Sequence, residues 1–241
     1  MKQVLTVLVL VGFAVVLVGL LPFVAPEVLG DVARHYVEQG AHDNGAANLV
    51  TGVLVTYRGL DTLGEVVVLL VSVSGAGYVL RRAARADGGA AAHLPPRTKA
   101  SELVQSGSRL LIAPILLFGV YVFTHGHLSP GGGFQGGAIV ASAVLLSLLA
   151  GGRFARRLGH LLESLAGLSY LATGLLGLFV AGSFLANRGL SLGQMGELLS
   201  AGVIPVISIV IGLKVGAELS SLVELMLEGS HPAREDSEDA S

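Results

Sequence analysis

Long apolar runs alternate with short polar segments along this 241-residue chain. A helix of about 20 apolar residues is long enough to cross the hydrocarbon of a bilayer. Six segments qualify as candidate spans, roughly 4–23, 62–80, 110–126, 134–150, 161–184 and 199–221. Between them lie a polar loop (24–45), a charged linker (81–109), a glycine-rich turn (125–137), a short basic loop (151–159) and a mixed loop (185–198). The pattern predicts an all-α, polytopic membrane protein with about six transmembrane helices. Ala46–Tyr57 is apolar but short, then broken by Arg58, Gly59 and Asp61. Apolar runs of about 10–14 residues are more often re-entrant, interfacial or buried than spanning. A half-buried helix leading into the second span is expected there.

Composition supports the membrane reading. Hydrophobic residues make up 52% of the chain and charged residues 13%, against about 25% charged in soluble domains. There are no cysteines, which excludes disulfides, thiolate catalysis and cysteine-held metals or clusters. The net charge of −2 comes with dispersed basic residues and no basic tract, so nothing points to nucleic acid. Met1–Leu21 has the early Lys2 and apolar core of a signal peptide. Its apolar stretch outruns the usual 7–15 residues or so, and an uncleaved membrane anchor is expected.

Basic residues in short loops mark the cytoplasmic side. With six spans, Lys2, the linker cluster from Arg81 to Arg109, Arg153, Arg156, Arg157 and Arg234 fall on one side; Arg34, Arg58 and Arg188 fall on the other. Both termini are therefore expected in the cytoplasm, with the glycine turn facing outside or dipping inward from it. The Ala/Gly/Pro-rich linker suggests a seam. The expected parts are a two-span unit (1–82), a cytoplasmic linker (83–107), a four-span domain (108–227) and an acidic, disordered tail (228–241).

The glycine turn holds Pro130, Gly131, Gly132, Gly133, Phe134 and Gln135. Its GxGxxG spacing follows a membrane-length apolar helix rather than a strand, so the dinucleotide reading fails on context. The flanking spans are short, which leaves two readings: a turn partly inside the membrane, or a tight outer turn that packs helices closely. Irregular backbone at membrane depth survives only when buried in protein or lining a watery cavity. His125 and His127 beside the turn either titrate near neutral pH or serve structure. No metal site is evident near them.

Two charged clusters are candidates for ion chemistry. Arg58, Asp61 and Glu65 share a helical face that Ser72 continues. Ionised groups in a span cost about 2.5–3.5 kcal/mol each on insertion scales. Glu65 is read as a proton or Na⁺ relay, biased by Asp61 and Arg58; the alternative is a salt-bridged helix start fixing two subunits. Lys214 and Glu218 lie one turn apart in the last span. They either turn to another subunit or a hydrated cavity, or Lys214 snorkels to the interface. On the opposite face, Ser208, Gly212, Gly216 and Ser220 recur every four residues, a pattern that admits close helix approach. His160 and Glu163 are read as anchors at the start of the fifth span. No nucleophile–base set, P-loop or HExxH motif occurs, so an enzyme active site is not expected. No inverted repeat suggests a self-contained transporter.

The segment HGHLSPGGGFQGGAIVASAVLL from His125 resembles the signature of the MnhB/MrpB subunit of Mrp-type multisubunit Na⁺/H⁺ antiporters, a resemblance covering about 103–227. NLVTGVLVTYRGLDTLGEVVVLLVSVSGAGYVL, 48–80, resembles the end of the MrpA subunit or its MbhE-type counterpart in membrane-bound hydrogenases. The resemblance implies a small helical subunit of a large assembly in the cell membrane, with other Mrp-type subunits as partners in a hetero-oligomer. It also implies Na⁺ and H⁺ as transported ions and no cofactor. Asp61 and Glu65 match its acidic DTLGE element, and Pro130 and Phe134 its functionally sensitive PGGGF element. Either a free Mrp antiporter or a hydrogenase-like complex with such a module could own the chain. A purely structural scaffold subunit is the remaining alternative.

Overall fold

The computed structural model describes residues 2–20, 29–86, 100–152, 156–187 and 190–228, and every regular element among them is helical. They are α1 (Lys2–Leu20), α2 (Asp31–Glu38), α3 (Gly40–Asn44), α4 (Leu49–Gly52), a π-helical turn (Val53–Tyr57), α5 (Gly59–Ala86), α6 (Glu102–Thr124), α7 (Gly133–Leu149), α8 (Arg156–Ala181) and α9 (Ile204–Glu228). The chain divides into two compact units at His35 and Tyr36. In the first, α1 is apolar around its whole circumference, as a helix surrounded by lipid or other protein must be. The second holds everything from Tyr36 onward, including every candidate site residue.

Each expected span coincides with a helix. Four are long and apolar enough to cross a membrane, over Gly59–Leu80, Glu102–Thr124, Gly159–Ala181 and Ile204–Leu227; α7 and the Thr6–Val16 part of α1 are shorter apolar helices. The last span starts at Ile204 rather than 199, because Ala201 and Gly202 adopt left-handed backbone that no helix continues through. The expected linker is shortened from both sides: α5 runs to Ala86, and Ser101 caps α6 by accepting from the Val104 amide at 3.3 Å. Residues 87–99 and the acidic tail beyond Glu228 lie outside the described residues.

The second unit is organised around α9. Over half of its apolar window is buried, against 11–22% for the other three helices of spanning length. One face, with Ile207 and Ile211, packs into the core that contains Val55, Val66 and Tyr170. The opposite face carries Ser208, Gly212, Gly216 and Ser220, and there α7 comes close enough for backbones to touch. A Cβ on Gly133 would lie 2.6 Å from the Ser208 carbonyl oxygen, and one on Gly137 would lie 2.8 Å from that of Gly212. Small residues on both partners make this approach possible. The outer surfaces of α5, α6 and α8 expose Val68, Leu110, Leu168 and Phe179, among others, an apolar exterior suited to lipid or partner helices.

Ala46–Tyr57 forms the expected half-buried lead into α5, as α4 followed by the π turn. The Arg58 amide donates to the Val53 carbonyl at 2.9 Å, five residues back. The Thr62 hydroxyl donates to the Leu54 carbonyl at 2.7 Å, satisfying an acceptor in the widened turn. Such turns recur at functional sites.

Gly133→Val has no space, because the opposing atom is backbone and cannot move aside. Overpacking of this kind costs roughly 1–3 kcal/mol or more. We expect a lower melting temperature and loss of α7–α9 packing, read by thermal unfolding of the detergent-solubilised complex. Gly107→Ala, where nothing lies within 4 Å, is expected to leave the transition within a degree or two.

Candidate functional site

The glycine turn is built as a tight reversal after α6. The amides of Leu128 and Ser129 both donate to the His125 carbonyl at 2.9 Å. Gly131 then takes φ +141°, a region L side chains rarely enter. Gly133 opens α7 at the level of Ser208 and Ile211, about 6–10 Å along α9 from its first residue at 1.5 Å per residue. The turn therefore lies alongside the first turns of α9 rather than beyond them, and α6, at 23 residues, is longer than the span expected before it.

Its carbonyls are satisfied from a distant part of the chain. The Asn48 side-chain amide donates to the carbonyls of Gly126 (2.8 Å) and Ser129 (2.9 Å). The Asn48 backbone amide donates to the His127 carbonyl at 2.9 Å. The Thr51 hydroxyl donates to the Gly131 carbonyl at 3.4 Å. Nearby, the Asn187 side-chain amide donates to the Asn44 carbonyl at 2.9 Å, and Asn187 Oδ1 accepts from the Val203 amide at 2.8 Å. Segments 44–52, 125–132 and 197–203, with Asn187, thus close one end of the bundle together. Sequence reasoning missed Asn48, Thr51 and Asn187; the one available signal was an N-capping asparagine at the head of an otherwise apolar run.

The two histidines part company. His125 keeps to its own helix end, with Nδ1 3.0 Å from the Thr124 hydroxyl and its ring stacked on Tyr121 at 4.2 Å. His127 is fully buried, with Nε2 3.4 Å from the Glu197 carbonyl oxygen and Nδ1 unpartnered. Burial lowers its pKa, partly offset by that carbonyl, so at neutral pH the ring is uncharged and donates through Nε2. Phe134 packs against the core, while Pro130 and Gln135 are exposed.

The Arg58 cluster lies on the outside of this chain. Arg58 and Asp61 form an ion pair with side chains 59% and 48% exposed. Glu65 and Ser72 follow on the exposed side of α5, while Thr62 and Val66 turn inward. Glu65 is within electrostatic reach of Tyr170, whose hydroxyl donates to the Gly59 carbonyl at 3.4 Å. Beside the cluster is a 430 Å³ cleft lined by Asp43, Asn44, Thr56, Tyr57, Ser183 and Asn187, among others. There the Tyr57 hydroxyl donates to Asp43 at 2.6 Å. Burial and then that carboxylate push the phenol up to about 12, keeping it a donor.

Lys214 and Glu218 point into this chain's own interior, which corrects the expectations of a pair turned to another subunit and of a snorkelling Lys214. Lys214 Nζ donates to Glu218 Oε1 at 2.5 Å, with the side chains 7% and 0% exposed. The reason is helical phase: positions 207, 211, 214 and 218 share one face, and on α9 that face is covered by the chain's own core. Glu218 Oε2 has no hydrogen-bond partner, nor does Ser221 Oγ. At the start of α8, His160 Nδ1 lies 3.6 Å from Glu163 Oε2.

An all-helical bundle with an apolar exterior, an internally satisfied irregular turn and a buried ion pair defines a class: a multi-pass membrane protein. Residues 103–221 match the model of domains related to the MnhB subunit of Na⁺/H⁺ antiporters, and residues 2–94 match that of the MbhE family. The chain belongs to the MnhB family of antiporter subunits and carries an MbhE-type amino-terminal part. It is 34% identical over 200 residues to an uncharacterized protein of Methanocaldococcus jannaschii, covering 74% of this chain and 76% of the relative. A chain in the membrane-bound sulfane sulfur reductase, an archaeal respiratory membrane complex, superposes with TM-score 0.75 and 38% identity, over 94% of this chain and 98% of that one. A chain in the Mrp complex from Dietzia sp. DQ12-45-1b gives TM-score 0.70 and 26% identity, over 98% of this chain but 26% of that longer one.

Replacing Asn48 by Ala leaves the Gly126 and Ser129 carbonyls without their donor, at about 1–3 kcal/mol for each buried acceptor left unsatisfied. A lowered melting temperature and faster proteolysis within 125–132 are expected. Asn48→Asp fares no better, since a carboxylate cannot donate.

Proposed function

We propose that this chain completes the cation/proton path of an Mrp-type antiporter module and ties its neighbouring subunits together. The observation that carries this reading is the Lys214–Glu218 pair, enclosed by the chain's own helices with one carboxylate oxygen unpartnered. A buried ion pair is weak evidence of stability, because desolvation offsets much of its attraction. Ionisable groups held inside transmembrane bundles commonly mark ion and proton routes. Glu65 supplies the second station, on a face that a partner subunit covers, with Asp61 and Arg58 setting its surroundings. The transported ions are Na⁺ and H⁺, and the chain needs no cofactor of its own and catalyses no covalent chemistry.

The partners are other Mrp-type subunits, both the large antiporter-like ones and small helical ones. Higher identity to the sulfane sulfur reductase chain than to the Mrp chain favours a module driven by a redox complex over a free antiporter. Both termini face the cytoplasm, and the closed end built from the glycine turn faces outside. The linker between α5 and α6 joins an MbhE-type part to the MnhB-type domain, and Asn48 ties the 44–52 segment to the glycine turn.

The test is cation-dependent proton movement in membrane vesicles carrying the whole complex. Glu65→Gln and Glu218→Gln are each expected to lower the antiport rate at least tenfold while native gels still show the assembled complex. Dissociation by Glu65→Gln would instead favour the scaffold role. Wild-type antiport in both intact variants would remove these carboxylates from the path.

A further inference from the structure

The seam between α6 and α7 carries two recesses of opposite character. The deeper one is apolar. It has a volume of 420 Å³, with Leu116 and Val120 of α6, Val140 and Val144 of α7, and Gly212 and Gly216 of α9 among its lining residues. The other lies toward the linker end of the bundle. It has a volume of 380 Å³ and is lined by Gln105, Ser108, Arg109 and Ile112 of α6, Ser147 of α7 and the residues just after α7.

Helical phase puts the two in line. On α6, residues 105, 109, 112, 116 and 120 fall on one face, and on α7 residues 140, 144 and 147 do the same. Arg109 precedes Leu116 by about 10 Å and Val120 by about 16 Å along the helix, at 1.5 Å per residue. A polar recess bearing one guanidinium therefore leads into an apolar groove along a helix of spanning length. Neither is filled by the chain itself: Arg109 is exposed, and so is Val120. Among the described residues Arg109 has no ion-pair or hydrogen-bond partner. Glu102, the other charged side chain of α6, is two turns away, about 10 Å along the axis. The polar neighbours of Arg109 are already engaged. Gln105 Nε2 donates to the Ala100 carbonyl at 2.8 Å, and the Ser108 hydroxyl to the Gln105 carbonyl at 2.9 Å.

We propose that this seam binds one anionic phospholipid, its phosphate at Arg109 and one of its chains in the groove between α6 and α7. The chemistry of the two ends sets the occupant. A guanidinium meets a phosphate with two parallel N–H···O bonds, and basic pockets between transmembrane helices hold anionic headgroups in this way. In the groove, the Ser220 hydroxyl donates to the Gly216 carbonyl at 2.6 Å, so it offers a polar ligand no free donor. A free phosphate would leave the groove empty. An apolar partner helix would fill the groove but leave the guanidinium without a counter-charge, which burial disfavours. The groove itself selects little, because bulk lipid is as apolar as its walls. Discrimination comes from the charge, and the test is built on the headgroup.

The experiment uses the whole complex in bilayers doped with phosphatidylglycerol or phosphatidylcholine, each carrying a diazirine midway along one chain. After illumination, labelled peptides are mapped by mass spectrometry. Phosphatidylglycerol is expected to label 112–123 and 140–147 about fivefold more than phosphatidylcholine, the factor supplied by roughly 1 kcal/mol of attraction per basic residue. Arg109→Gln is expected to abolish this preference, and Arg109→Lys to keep most of it. Val144→Trp fills the groove and is expected to lower labelling of 112–123 by both lipids, with labelling of α5 unchanged. Should Val144→Trp fail to assemble, the two Arg109 variants, which alter an exposed side chain, carry the test. Equal labelling by the two lipids in the wild type, or a preference that survives Arg109→Gln, would overturn the proposal and leave only ordinary surrounding lipid. Absence of label at 112–123 and 140–147 beside normal labelling of α5 would overturn it in favour of a protein partner.

Discussion

Water is missing where this protein works, so each polar group at lipid depth has to be satisfied from inside the protein. The backbone of the glycine turn shows how irregular backbone is satisfied from within the chain. It leaves helical geometry alongside the first turns of α9, and its carbonyls would stand bare without Asn48 and Thr51. The segment that supplies those donors lies in the MbhE-type part, and the turn lies in the MnhB-type part. The same rule joins the third loop, through Asn187 and the Asn44 carbonyl. Closing one end of the bundle is therefore a hydrogen-bonding problem solved by three segments far apart in sequence.

The rule also governs the charges. Glycines 133, 137 and 216 let α7 and α9 pack closely, and Gly212 makes room for Phe123 of α6. That leaves another face to carry Ile207, Lys214 and Glu218 into the chain's own core, with Ile211 at the edge against Gly133. An ion pair in such a place is matched oxygen to ammonium on one side only; the second carboxylate oxygen remains available. By contrast, Glu65 stands on an exposed face of this chain. Under the proposed reading, the two acidic groups with different surroundings, one buried and one exposed, suit a subunit that passes charge between neighbours.

Much of this was legible beforehand, and for physical reasons. Apolar length located each of the long helices, four of them long enough to cross a membrane, because the bilayer sets helix length directly. The Ser208–Gly212–Gly216–Ser220 spacing marked a close-packing face because small side chains at every fourth position have few other consequences. The fate of Lys214 and Glu218 was not legible, since helical phase places them on one face but says nothing about which neighbour covers it. The grip of Asn48 on 126–129 was hidden for the same reason: a contact across some 80 residues leaves no local trace. His127 was seen as one of a pair, yet only the fold separates a buried ring from its half-exposed neighbour.

The central claim is that Glu218 gains and loses a proton during turnover instead of remaining a fixed partner of Lys214. Infrared difference spectroscopy of the purified complex, recorded through a linker-side pH jump, observes this directly. The account predicts a carbonyl stretch of a protonated carboxylic acid that appears on acidification, shifts in deuterium oxide and vanishes in Glu218→Gln. A band that survives unchanged in Glu218→Gln, or the lack of any such band in the active wild-type complex, would contradict it.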